Sequence, residues 1–214
     1  MQGSDERGNG MADIDCVIFD IGNVLIRWDP KNLYRRMGYA DADTDGILAE
    51  TGLLDMNVEF DLGKPFAEGI AALTARFPQH QRFLDGWNTR WTDALDGAIQ
   101  PNVAVLAALK AAGVPAHAIS NFSREKFDVA RALFPFLDGF DELVLSADVG
   151  MVKPDRDIFD LMIDRRQLTP SRAVFIDDSA PNIRTAEAIG LRTIHFADES
   201  VAVRDRLVQL GLRL

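Results

Sequence analysis

The stretch "CVIFDIGNVLIRWDP", residues 16–30, decides how this chain is read. Four apolar residues lead into Asp20, and Gly22 follows two positions later. A run that is apolar at every position, rather than at alternate ones, suits a parallel strand covered by helices on both faces. An acid that closes such a strand sits at the carboxyl edge of the sheet, where open α/β sheets bind their ligands.

Outward from this strand the same pattern recurs. Further candidate strands are "VPAHAIS" (114–120), "ELVLS" (142–146), "AVFID" (173–177) and "RTIHF" (192–196). Between them lie helical stretches at 101–112, with Pro101 in the first turn and Gly113 just past the end, at 123–133 starting from Ser123, at 155–166, and at 180–189 between Ser179 as N-cap and Gly190. This alternation is that of an α/β fold with a doubly wound, Rossmann-like parallel sheet.

Residues 30–98 break the rhythm, with helical periodicity and no convincing strand. They carry Phe60, Phe66, Phe77, Phe83, Trp87 and Trp91, and "WNTRW" places two tryptophans four apart on one helix face. These aromatics read as the core of an inserted helical bundle rather than as ligand contacts. The expected organisation is a flexible tail at 1–11, an α/β core at 12–29 and 99–214, and a helical cap at 30–98.

Composition narrows the function classes. A chain of 214 residues with 47% hydrophobic content can build one sizeable core, or a core with a smaller insertion. The formal net charge of -10 argues against nucleic acid or an anionic membrane as partner, because such proteins display basic patches. An anionic small molecule must then be held by local cations, a metal or backbone N–H groups. Cys16 is the single cysteine, so no intramolecular disulfide can form; a reducing compartment, the cytoplasm, is expected, with Cys16 packed in the core. No apolar run approaches the roughly 18 residues of a membrane span. The start, "MQGSDERGNG", lacks the order of a signal peptide and reads as a mobile tail, with Met11 a candidate natural start.

Polar residues collect at the strand ends. Asp20 ends the first strand, Ser120 and Asn121 the second, Asp177 and Asp178 the fourth, and Lys153 in "GMVKPD" follows the third. Each alone is ordinary turn or cap chemistry; their coincidence at the same edge is not explained by capping. Three carboxylates converging on one point raise a pKa or require a cation. Mg²⁺ suits oxygen ligands and completes its shell with water and substrate phosphate. Lys153 and the Ser120 hydroxyl would balance a transferring phosphoryl group. One carboxylate could act as nucleophile through an aspartyl-phosphate.

The ordered set "FDIGNVL", "ISN", "VKPD" and "VFIDDSAPNI" resembles the haloacid dehalogenase (HAD) superfamily, with matches from residue 16 to about 196 and a helical insertion placed as in its C1-capped members. The resemblance implies Asp20 as nucleophile, Ser120 or Asn121 as phosphate donors, Lys153 as the charge stabiliser, and a Mg²⁺ site from Asp20, Asp178 with Asp177, and the carbonyl of Gly22.

Gly22 departs from the phosphatase pattern. There the family usually carries an Asp that protonates the leaving group and then activates water. Glycine offers a carbonyl but no proton, a loss typically worth about 10² to 10⁴ in rate. Either the substrate has a good leaving group, such as an anomeric sugar oxygen, or another acid is supplied, with Asp29 the nearest candidate by sequence. "DIGNV" resembles a subgroup of sugar-phosphate phosphatases that includes α-glucose-1-phosphate phosphatases, which points to a phosphorylated small molecule such as a sugar 1-phosphate.

Two other readings stay open. The superfamily's metal-free 2-haloacid dehalogenases also lack an Asp at that position, but their pattern has an Arg in the first cap segment, which Arg27 could imitate, and a Tyr after the Lys-Pro pair, where this chain has Phe159. The third reading is a catalytically impaired protein that binds a phosphometabolite. His80, His117 and His195 read as structural, and "DADTD" at 41–45 as a solvated surface or helix start.

Overall fold

The computed structural model describes residues 14–214; the expected tail at 1–11 lies outside them. Strand β1 (Cys16–Phe19) is buried along its whole length. It occupies the middle of a five-stranded parallel sheet with β4 (Ala116–Ser120), β5 (Glu142–Leu145), β6 (Ala173–Asp177) and β7 (Arg192–His195), in the order β5-β4-β1-β6-β7. Alternation along β1 sorts the two faces: Val17 and Phe19 enter one apolar cluster, Cys16 and Ile18 the other. The first cluster is completed by α6 (Gln100–Ala111), α7 (Arg124–Leu133) and α11 (Val203–Gln209), the second by α9 (Arg156–Arg166) and α10 (Ala180–Ile189).

The strand order sets the site. From β1 the chain winds outward through β4 to β5, then returns to the other side for β6 and β7. The switch point lies between β1 and β6, where connections depart in opposite directions and leave a crevice beyond the carboxyl ends. Phe19 pairs with Ile176, so the next residues, Asp20 and Asp177, stand side by side there.

Side-chain caps start two of the described helices, α7 and the first helix of the 30–98 segment. The Ser123 hydroxyl accepts from the Lys126 amide and caps α7. Ser179 occupies the N-cap position of α10 without a side-chain cap bond; its amide instead donates to Asp177.

The segment 30–98, read as lacking strands, ends in one, β3 (Leu95–Ala98), and a second, β2 (Ile26–Trp28), lies just before the segment. β2 pairs antiparallel with β3, Ile26 opposite Ala98 and Trp28 opposite Leu95. Through this ribbon the chain leaves the sheet and returns to it. Between its strands run α1 (Pro30–Arg36), α2 (Asp41–Thr51), α3 (Leu53–Asp61), α4 (Phe66–Arg76) and α5 (Gln81–Thr89). "DADTD" begins α2, as a helix start should.

Aromatic stacking holds these helices together. Tyr34 stacks on Phe83 at 3.6 Å and Phe60 on Phe66 at 4.1 Å, while Trp28 meets Trp87 edge-on at 6.2 Å. Trp87 and Trp91 do not share a helix face: α5 stops at Thr89, and Trp91 opens a 3₁₀ turn that faces Phe122 of the sheet domain at 5.7 Å. Two of the aromatics, Phe66 and Trp91, also line the cavity described next. A short helix, α8 (Ser146–Val149), follows β5 and contacts α3.

Candidate active site

β1 delivers Asp20 to the sheet edge, where the amide of Ile21 donates to its Oδ1 at 2.7 Å. The ammonium of Lys153, from the loop after α8, lies 2.9 Å from Asp20 Oδ1 and 2.7 Å from Asp177 Oδ2. Its side chain is 1% exposed, so both pairs are shielded from water. Asp177 is fully enclosed and also accepts from the Ser179 amide at 2.8 Å and from Asn182 Nδ2 at 3.0 Å.

Asn121 holds the lysine from behind. Its Oδ1 accepts the Lys153 amide and its Nδ2 donates to the Lys153 carbonyl, both at 2.8 Å. Of the two expected phosphate donors, Ser120 therefore has its side chain at the cavity without a competing bond among those described, whereas the Asn121 side chain is committed to Lys153.

Oxygen atoms of Asp20, Asp177 and Asp178 lie within 4.8 Å of one another. Three ionised carboxylates against one ammonium leave two negative charges in excess. Burial pushes the Asp20 carboxyl up to about 7, with Lys153 opposing and the charges of Asp177 and Asp178 adding. Asp178 is likewise raised by burial and by Asp177, against a hydrogen bond from Asn23. An all-oxygen donor set with this charge excess fits a hard divalent cation such as Mg²⁺.

Gly22 borders the same cavity. A Cβ built on it would meet nothing within 4 Å, so no steric demand imposes glycine. The next residue, Asn23, adopts the left-handed conformation that asparagine tolerates, with φ 52°, and its Oδ1 accepts the Trp28 amide at 2.9 Å.

The cavity measures about 450 Å³. Asp20, Ser120 and Lys153 form its floor, while Ile26, Trp28, Phe66, Trp91, Leu95 and Phe122 supply apolar walls. Two charged groups there went unnoticed in the sequence. Lys126 bonds the Asn88 carbonyl at 2.9 Å and Oδ1 at 2.7 Å, lies over the Phe66 ring, and has its pKa lowered by burial. Asp61, the last residue of α3, faces the cavity and accepts from Asn57 Nδ2 at 3.1 Å. Burial holds its carboxyl at about 7, with the Ser123 amide opposing and the Asp20 charge adding.

Other candidates lie elsewhere. Asp29 is the N-cap of α1: its Oδ1 accepts the Lys31 amide at 2.8 Å, its Oδ2 faces Arg35 at 3.3 Å, and it does not line the cavity. Arg27 forms a two-pronged pair with Glu199 at 2.5 and 2.7 Å and also stays outside the cavity. Phe159 is packed behind the sheet against Phe175. His80 pairs with Glu50, and the His195 ring bonds the Asp178 carbonyl. His117 is buried in β4 with Nδ1 unpartnered, away from the cavity.

The chain is 27% identical over 201 residues to the sesquiterpene phosphatase astK of Aspergillus oryzae, covering 91% of this chain and 95% of that protein. It is 28% identical over 196 residues to the D-ribitol-5-phosphate phosphatase of Bacteroides thetaiotaomicron, covering 84% and 90%. Among solved structures, a HAD family enzyme of B. thetaiotaomicron in complex with magnesium and inorganic phosphate superposes with TM-score 0.64 at 21% identity, over 85% of this chain and 93% of that one, which establishes a shared fold. The family model for haloacid dehalogenase-like hydrolases matches residues 43–196. On that match this chain, whose sheet brings Asp20, Lys153, Asp177 and Asp178 to one switch point, belongs to the haloacid dehalogenase-like hydrolases.

Proposed function

We propose that this protein hydrolyses a small phosphate monoester through an aspartyl-phosphate on Asp20. The observation that carries the reading is the pairing of Asp20 with a dehydrated ammonium beside two further carboxylates at the switch point. A nucleophile in such a place is rigid, and the charge around it suits a phosphoryl group with its cation.

In this reading an Asp20 oxygen attacks phosphorus and the bond to the leaving oxygen breaks. Lys153 and the Ser120 hydroxyl hold the non-bridging oxygens, and water later releases phosphate from Asp20. Asp20, Asp177, Asp178 and the carbonyl of Gly22 would hold Mg²⁺. When bound, Mg²⁺ supplies positive charge to the phosphate oxygens and offsets the acidic cluster. Residues 30–98 serve as the cap that closes over Asp20 and restricts the substrate to a small molecule.

The expected sugar 1-phosphate drew on Gly22 and the "DIGNV" pattern. The walls of Ile26, Trp28, Phe66, Trp91, Leu95 and Phe122 suit a substrate whose alcohol carries apolar surface, and likeness to a sesquiterpene phosphatase over most of the chain agrees with this. The dehalogenase reading has less support: no arginine lines the cavity among the described residues, and Asp177 and Asp178 would repel idly without a cation.

The test is Mg²⁺-dependent phosphate release across phosphates of apolar alcohols, sugar 1-phosphates and sugar 6-phosphates, with Asp20→Asn as blank. Release requiring both Mg²⁺ and Asp20, fastest for apolar alcohols, is expected. Chloride release from 2-chloropropionate without phosphate release from any ester would overturn the reading.

A further inference from the structure

We infer that Asp61, carried by the helical segment, is the proton donor to the leaving oxygen and afterwards the base for the attacking water, the task Gly22 cannot perform. The inference rests on the reading of Asp20 as nucleophile.

Among the described residues, the titratable side chains lining the cavity are Asp20, Asp61, Lys126 and Lys153. Lys153 is bound between two carboxylates and Lys126 is bound to both oxygens of Asn88. Asp20 is the nucleophile. Of the described lining groups, that leaves Asp61 to give a proton and take it back.

Its setting suits that work. The carboxyl has no cation paired to it among the described bonds and accepts only from the Asn57 amide and the Ser123 N–H. Neither partner holds it permanently ionised as an ion pair would. Its backbone is fixed to the sheet domain, since Ser146 Oγ donates to the Asp61 carbonyl at 2.5 Å and accepts the Phe122 amide at 2.9 Å. Burial and the nearby Asp20 charge keep the proton on Asp61 at neutral pH more than on an ordinary carboxyl.

The step balances. Asp20 forms its bond to phosphorus, the ester P–O bond breaks, and the Asp61 proton goes to the leaving oxygen to give the alcohol. Water then attacks phosphorus, Asp61 takes its proton, the bond between Asp20 and phosphorus breaks, and phosphate leaves with both carboxyls restored.

The test compares Asp61→Asn on p-nitrophenyl phosphate, whose leaving group needs no proton, and on an alkyl phosphate, whose leaving group does. In single turnover the p-nitrophenol burst should stay within about tenfold of wild type, which also shows the variant folded, while alkyl ester cleavage falls about 10² to 10⁴. Gly22→Asp, which has open space for a side chain, should restore alkyl ester cleavage in the Asp61→Asn background. Equal losses on both esters, or an alkyl rate within about threefold of wild type, would overturn the role of Asp61 while leaving Asp20 in place. Failure of wild type to release phosphate from either ester would instead remove the parent reading, and this inference with it.

Discussion

The Nζ of Lys153 lies 2.9 Å from Oδ1 of Asp20, with both side chains almost wholly withdrawn from water. The same ammonium bonds Asp177, so one cation neutralises part of a three-carboxylate cluster. Removing it by Lys153→Met leaves buried carboxylates unpaired, which typically costs about 3–5 kcal/mol. Urea denaturation in chelator should show a loss of that order, and adding Asp177→Asn should recover part of it because the two sites couple.

Asn121 acts on the site through Lys153. Asn121→Ala frees the lysine amide and carbonyl from two bonds, for a stability loss of about 1–3 kcal/mol. Turnover should fall at least about tenfold, since small displacements of a charged group are costly in phosphoryl transfer. A steady-state comparison would show kcat lowered and KM changed little.

Cation binding to the acidic cluster should be visible as stability. Mg²⁺ at about 100 times its dissociation constant adds about 2.7 kcal/mol by mass action. Thermal unfolding of the wild-type chain should shift upward with Mg²⁺, and that of Asp178→Asn should shift much less.

Asp61 sets stability against function. Its folded carboxyl titrates at about 7, against an ordinary 3.8, so the folded state holds the proton more tightly than the unfolded state does. Stability contributed by this group is therefore greatest below about pH 4 and declines as pH rises toward 7. Asp61→Asn removes the penalty. Its stability relative to wild type should rise between pH 4 and 7 and level off above, measured by urea denaturation, even as alkyl ester cleavage falls.

The sheet and its edge were legible because β1, β4 and β6 are buried, mostly apolar runs and each stops at a polar residue. Asp20 and Asp177 follow from that alone. β2 and β3 escaped notice because three or four half-exposed residues carry too little pattern to separate a strand from a loop. The spacing of Trp87 and Trp91 suggested one helix face, but the helix ends between them and tertiary contact with Phe122 claims the second ring. Asp61 left no local mark: it ends a nine-residue helix, and its nearness to Asp20 depends on how the helical segment folds back onto the sheet. Asn121 was identified as a site residue, yet its bonding to Lys153 spans 32 residues and needs the fold to be seen.

Covalent capture tests the central claim most directly. Wild-type protein mixed with substrate and Mg²⁺, quenched in acid within one turnover and mapped by peptide mass, should carry a phosphoryl group on the peptide containing Asp20, absent in Asp20→Asn. Phosphate release at full rate with no phosphorylated Asp20, or with the group on another residue, would contradict the account.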